Sequence, residues 1–179
     1  QEHIDEGNNS LKRLDGQKLS LEGDVEALKQ ELSNEKAKLN NPSTIAYRQA
    51  YNGQKLANAR IASLREQLPH ADQWQQNSIR YGIDEWQKKY KTYSFIMKSE
   101  VDKWNKPIYE NIADLNERIT NKEEEVKQKI KELDKIQSQV VADQSRRAAL
   151  IQQRDSLVGA HDETMKQGNH FIRNFEILE

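Results

Sequence analysis

From Ile108 to Val158 the chain runs IYENIADLNERITNKEEEVKQKIKELDKIQSQVVADQSRRAALIQQRDSLV, without proline or glycine. Ile108, Ile112, Leu115, Ile119, Val126, Ile130, Leu133, Ile136 and Val140 recur at steps of three and four, which sets them on one face of an α-helix. At 1.5 Å per residue this predicts a rod of roughly 75 Å, and a rod with one narrow apolar seam needs a partner helix. A second seam, Leu11, Leu14, Leu21, Val25, Leu28, Leu32 and Leu39, has the same spacing, with Lys18 and Glu35 filling its polar positions.

Between these runs the punctuation is sparse. Asn40-Asn41-Pro42-Ser43 predicts the end of one helix, with Ser43 or Thr44 capping the next. That helix carries Tyr47, Ala50, Ala57, Ile61, Leu64 and Leu68, contains a turn-type Asn52-Gly53 that predicts a break, and stops at Leu68-Pro69-His70. Asp72 is placed to cap a third helix with its seam on Ile79, Ile83, Trp86, Tyr90, Tyr93 and Met97. The phase slips near Val101, Trp104 and Ile108, and Pro107 predicts a kink or a restart there. The first ten residues, polar and holding Gly7, predict a frayed end, while Gly159 and Gly168 predict interruptions before a short apolar tail.

The expected fold is therefore all-α: an elongated antiparallel coiled-coil stalk with a small three-helix, aromatic-rich head. Residues 1–43 and 126–168 form the stalk, with 11–39 against about 126–158. Residues 44–125 form the head and 169–179 the apolar tail. Pairing of 11–39 with 44–68 is the alternative.

Composition agrees with coiled coil. Charged residues are 32% and apolar ones 35%, and the mean hydropathy is −1.04, too polar for a large globular core. The net charge of −1 supplies no basic field for nucleic acid, which is not expected as a partner. Without cysteine there is no disulfide, thiolate metal site or cysteine nucleophile. No run is apolar enough to span a membrane, so this segment is not expected to insert in one. A chain that opens on Gln1 without methionine reads as a processed protein or an excised segment. Whether it works as a monomer or an oligomer is open from the sequence.

Candidate chemistry is thin. Phosphate-loop, zinc-protease, hydrolase-elbow and calcium-loop patterns are absent, so neither catalytic residues nor a cofactor are expected. His161-Asp162-Glu163 has donor atoms but no second histidine one helical turn away, which argues against a metal site. Aromatic side chains instead crowd residues 74–109. Trp86, Tyr90 and Tyr93 lie on the seam and are expected in the core. Trp74, Tyr81, Phe95, Trp104 and Tyr109 are the candidate residues for binding another protein, through the head, with the stalk as a further surface.

Three stretches, LSLEGDVEALKQELSNEKAKLNNPS, ADQWQQNSIRYGIDEWQKKYKTYSFIMKSEVDKW and GNHFIRNFEILE, resemble in that order the extracytoplasmic coiled-coil region of bacterial membrane-anchored c-type cytochromes. The resemblance implies a helical excursion in a periplasmic or cell-surface setting, tethered by segments outside this one, within an electron-transfer assembly. The haem-binding C-x-x-C-H motif has no counterpart here, so no functional residue is carried over. The expected function is a non-enzymatic spacer or docking arm. Two other classes share the pattern: the receptor-binding or translocation hairpin of a secreted bacterial toxin, and a dimerising cytoskeletal or chromosomal coil.

Overall fold

The computed structural model describes residues 1–176, apart from the side chains at 172 and 174–176. Three α-helices account for nearly all of them: α1 Glu2–Lys36, α2 Ile45–Gln67 and α3 Gln73–Glu176, with one 3-10 turn at Leu68–His70. Among the described residues there is no strand, and no helix is long and apolar enough to cross a membrane. The contacts divide the chain into two units, Val25–Asn121 on the one hand and Gln1–Asp24 with Lys122 onward on the other.

In the first unit, α2 packs antiparallel on the start of α3. The Leu64 side chain lies against Gly82, the Tyr93 ring against Gly53, and Gln54 Nε2 donates to Ser94 Oγ at 2.8 Å. Ala50, Ala57 and Ile61 of α2 and Ile83 of α3 are buried along this line. Further along α3 the place of α2 is taken by the end of α1, where Leu28 clusters with Leu115 and Ile119 and Leu32 packs alongside. Glu35 then accepts from Asn111 Nδ2 at 2.9 Å. Both helix starts are capped as the sequence predicts. The Thr44 hydroxyl accepts from Tyr47 N–H at 3.2 Å, and Asp72 and Gln75 exchange side-chain-to-backbone bonds at 2.8 and 3.0 Å in a reciprocal capping box.

The gap between α1 and α2 is closed by polar bonds to α3. Asn40 sits in the left-handed region with φ 60°, which asparagine tolerates at a helix end. Its N–H donates to Asn105 Oδ1 at 2.9 Å, and its own Oδ1 accepts from Asn105 Nδ2 at 2.8 Å. Asn105 is 6% exposed, the one polar side chain buried among the described residues. Beside it Trp104 Nε1 donates to the Lys38 carbonyl at 2.8 Å, and the Thr44 hydroxyl donates to Glu100 at 3.0 Å. The slip in the α3 seam near residues 101–108 falls opposite this gap, where no covering helix has to be matched.

In the other unit Ile4 and Leu14 of α1 and Val140 of α3 are buried, and the Val140 side chain rests on Gly7. Val126, Leu133 and Ile136 are half-buried.

Several expectations are corrected. The first ten residues are helical, because Ile4, Gly7 and Leu11 continue the three-four spacing of α1 and Ile4 is buried. Asn52-Gly53 does not break α2: Gly53 is on the seam, and its missing side chain makes room for Tyr93. Pro107 lies inside α3, which runs on. The proline removes one donor and leaves the carbonyl of residue 103 without its helical partner. Asn105 and Ile108 on either side are both buried and hold the segment in place. The three-helix head consequently does not form, since residues 44–125 hold α2, the 3-10 turn and one stretch of α3. The pairing of 11–39 with about 126–158 is shifted in register. Leu28 meets Leu115 and Ile119, and Gly7 meets Val140, so each stretch of α1 is matched to an earlier stretch of α3 than expected. Gly159 and Gly168 lie within α3, as do residues 169–176 of the apolar tail, whereas Ile177 and Leu178 lie outside the described residues.

The glycines yield a paired prediction. Gly16 has no atom within 4 Å of a built Cβ, so Gly16→Ala is expected to stabilise by about 1 kcal/mol through helix propensity alone. At Gly53 a Cβ would come within 2.5 Å of the Tyr93 ring, and Gly53→Ala is expected to destabilise by about 1–3 kcal/mol despite the same propensity gain. Urea unfolding followed by circular dichroism separates them, and equal shifts would refute the seam contact. At the gap, Asn105→Leu strands the Asn40 N–H and is expected to cost about 1–3 kcal/mol in the same assay. A neutral result would remove Asn105 as the anchor.

Candidate functional site

Four of the five predicted binding aromatics stand in solvent on α3: Trp74 is 79% exposed, Tyr81 70%, Phe95 74% and Tyr109 55%. Their numbers differ by multiples of seven, so they share one heptad position, with Lys88 and Asp102 occupying the intervening places on the same line. It is a single file rather than a patch. Most of the residues three and four positions away, among them Asn77, Ser78, Asp84, Lys91, Thr92 and Lys98, are polar or charged. Trp104 does not join the line: it is half-buried in the α1–α2 gap with its indole N–H committed to Lys38. Trp74 also borders a shallow recess beside the 3-10 turn, with Ser63, Gln67, His70 and Ser78 around it.

A second surface went unread in the sequence because it was assigned to the stalk. From Val141 to Phe171 every residue of α3 is exposed. These include Val141, Leu150, Ile151, Leu157, Val158, Met165 and Phe171. Within the same unit the α3 positions that are not exposed are Lys122, Val126, Lys129, Leu133, Ile136 and Val140. Seven-residue steps carry the first of these lines, 126, 133, 140, on to Arg147, Arg154 and His161, and the second, 129 and 136, on through 143 to Leu150, Leu157 and Thr164. Ile151, Val158 and Met165 flank them one position further round. Leu150, Arg154, Leu157, Val158 and His161 line a shallow depression along this face. The signal that would have exposed it is length: α1 with 35 residues and α2 with 23 fall far short of the 104 in α3.

The electrostatics are those of solvated helices. Ion pairs lie mostly between residues three or four apart on one helix, such as Lys18–Glu22 at 3.8 Å and Lys129–Glu132 at 3.2 Å, and each contributes little. Arg154 bonds the neighbouring Asp155 through Nε and Nη2 at 3.1 and 2.8 Å. His161 Nδ1 lies 3.9 Å from Asp162, and among the described residues no three His, Asp or Glu side chains converge as metal ligands. Two groups have displaced acidities. The Glu35 carboxyl is held below its ordinary range, first by the Asn111 hydrogen bond and then by Lys38 at 2.6 Å, while Glu85 raises Lys88.

No protein-family model matches the chain, and no curated protein or solved structure is similar to it.

Because the folded Glu35 acidity lies below the ordinary value of 4.5, its contribution is present above that pH and is lost as pH falls through the folded value. The difference in melting temperature between the wild-type chain and Glu35→Gln is expected to be constant near neutrality and to narrow below about pH 4.5. A gap that stays constant to pH 3 would show that the cross-helix bond does not depend on the charge.

Proposed function

We propose that the chain is a non-enzymatic interaction module, a coiled-coil spacer or docking arm of a larger assembly, whose engaging segment is the distal third of α3. The observation that carries this reading is the run of exposed apolar side chains from Leu150 to Met165, on the face that α1 covers as far as Val140. A lone helix of this composition gains little from propensity and depends on packing, so a face of this kind has its use when a second helix covers it. The line Trp74, Tyr81, Phe95 and Tyr109 offers a protein lateral contacts of lower area. The resemblance to the helical region of membrane-anchored cytochromes supports an extracytoplasmic, electron-transfer setting.

The test compares two leucines. Leu115→Ala removes a buried side chain and is expected to cost about 2–4 kcal/mol in urea unfolding, whereas Leu157→Glu in the isolated chain is expected to shift stability by less than about 0.5 kcal/mol. A photoreactive group at Leu157 should then cross-link to one discrete helical segment when the chain sits in its native assembly, and Leu150→Glu should abolish that product. Strong destabilisation by Leu157→Glu in the isolated chain would refute an open arm, as would labelling no different from that at the exposed, non-seam Ser156.

A further inference from the structure

Resting on the docking-arm reading, we infer that the arm receives an acidic amphipathic helix, one with leucine, isoleucine or valine at the seam and glutamate or aspartate beside it. The argument is the change in character along one line of α3. Where α1 covers it the line reads Val126, Leu133, Val140, and past α1 it reads Arg147, Arg154, His161. The parallel line remains apolar at Leu150 and Leu157, and the third line adds Ile151, Val158 and Met165. A pair of arginines between two apolar lines is a poor fit to a wholly apolar partner, which would bury the Arg147 guanidinium with no carboxylate opposite it and leave Arg154 only the single Asp155 oxygen. Carboxylates on the incoming helix satisfy them, and the flat fork of arginine suits bidentate pairing.

The acids of the arm supply this role from within only in part. Asp155 and Asp162 each sit one residue past the arginine–histidine line, about 100° further round the helix, and Glu163 lies further still. Asp155 does bond Arg154, through one oxygen at 2.8 and 3.1 Å, but Arg146 and Arg147 bring two further cations to the near end of the arm. Asp143 lies near the start of the exposed stretch, outside the part from 146 to 161, in which Asp155 is the one acid. A second copy of the chain brings the same arginine line to this face, with Asp143 the one carboxylate on its apolar lines, and it is the weaker occupant.

The experiment uses the intact chain and two synthetic helices of about four heptads with identical apolar seams, one flanked by glutamate and one by lysine. Fluorescence anisotropy at low salt is expected to show the glutamate helix binding at least about tenfold tighter, with the gap closing as salt is raised. Arg147→Glu with Arg154→Glu is expected to reverse the preference, and Leu157→Glu to weaken both. Equal affinity for the two helices would overturn the acidic partner while leaving the open arm standing. A wild-type dimer in sedimentation, lost in Leu157→Glu, would replace the acidic helix with a second copy. Failure of either helix to bind at millimolar concentration would overturn both the inference and the docking-arm reading.

Discussion

A single helix with one apolar seam has to be covered along its length, and that constraint governs this molecule. α3 contains 104 residues, and neither α1 nor α2 is long enough to match it. Within residues 25–121 the covering is shared, α2 taking the early part of α3 and the end of α1 the later part. Such sharing creates a place where the cover is interrupted. A two-helix layer buries few side chains completely: among the described residues Leu28, Leu115 and Ile119 form a buried cluster of three. Stability is therefore spread thinly along the contact, and each seam residue counts through its own pair of neighbours.

The interruption is handled by hydrogen bonding rather than by apolar packing. A chain reversal between two helix ends exposes backbone groups that have to find partners. Here the partners come from α3, with Asn105 answering the Asn40 N–H and Trp104 the Lys38 carbonyl, while Glu100 takes the Thr44 hydroxyl proton. Thr44 uses one hydroxyl twice, as acceptor for the α2 cap and as donor to Glu100. The Asn40–Asn105 pair also fixes register, since a shift of α1 and α2 along α3 would leave the buried Asn105 amide without its partner. Leucine seams alone do not discriminate between neighbouring heptads, and an amide pair with one buried member does.

That explains what was legible in the sequence and what was not. Helix identity followed from spacing, and the stop at Asn40–Ser43, the Thr44 cap and the Asp72 cap followed from the chemistry of those side chains. Register did not follow, because Leu28 is as good a partner for Leu133 as for Leu115 on apolar grounds, and the deciding bond joins residues 65 positions apart. Gly53 and Gly7 were misread for a related reason. Each looks like a weak point in its own helix, yet each is a gap shaped for a side chain on another, Tyr93 and Val140. Of the candidate site, the exposed aromatics Trp74, Tyr81, Phe95 and Tyr109 were visible as residues off the seam. Trp104 was not distinguishable from them, since its hydrogen bond depends on where Lys38 ends up. The open arm was hidden by the same register error: with 11–39 placed against 126–158, Leu150 and Leu157 appeared covered.

The two surfaces differ in what they ask of a partner. The aromatic file offers isolated rings about 10 Å or more apart along the axis, separated by polar side chains, and so favours a contact that is broad and shallow. The arm offers adjacent apolar pairs, Leu150 with Ile151 and Leu157 with Val158, at the repeat a helix reads, with arginines set between them. Knobs-into-holes packing needs that adjacency, because each inserted side chain is gripped by four residues of the facing helix. The arm is therefore the surface on which affinity would rest and the arginines the feature on which choice of partner would rest. The aromatic file would add orientation to a contact made elsewhere.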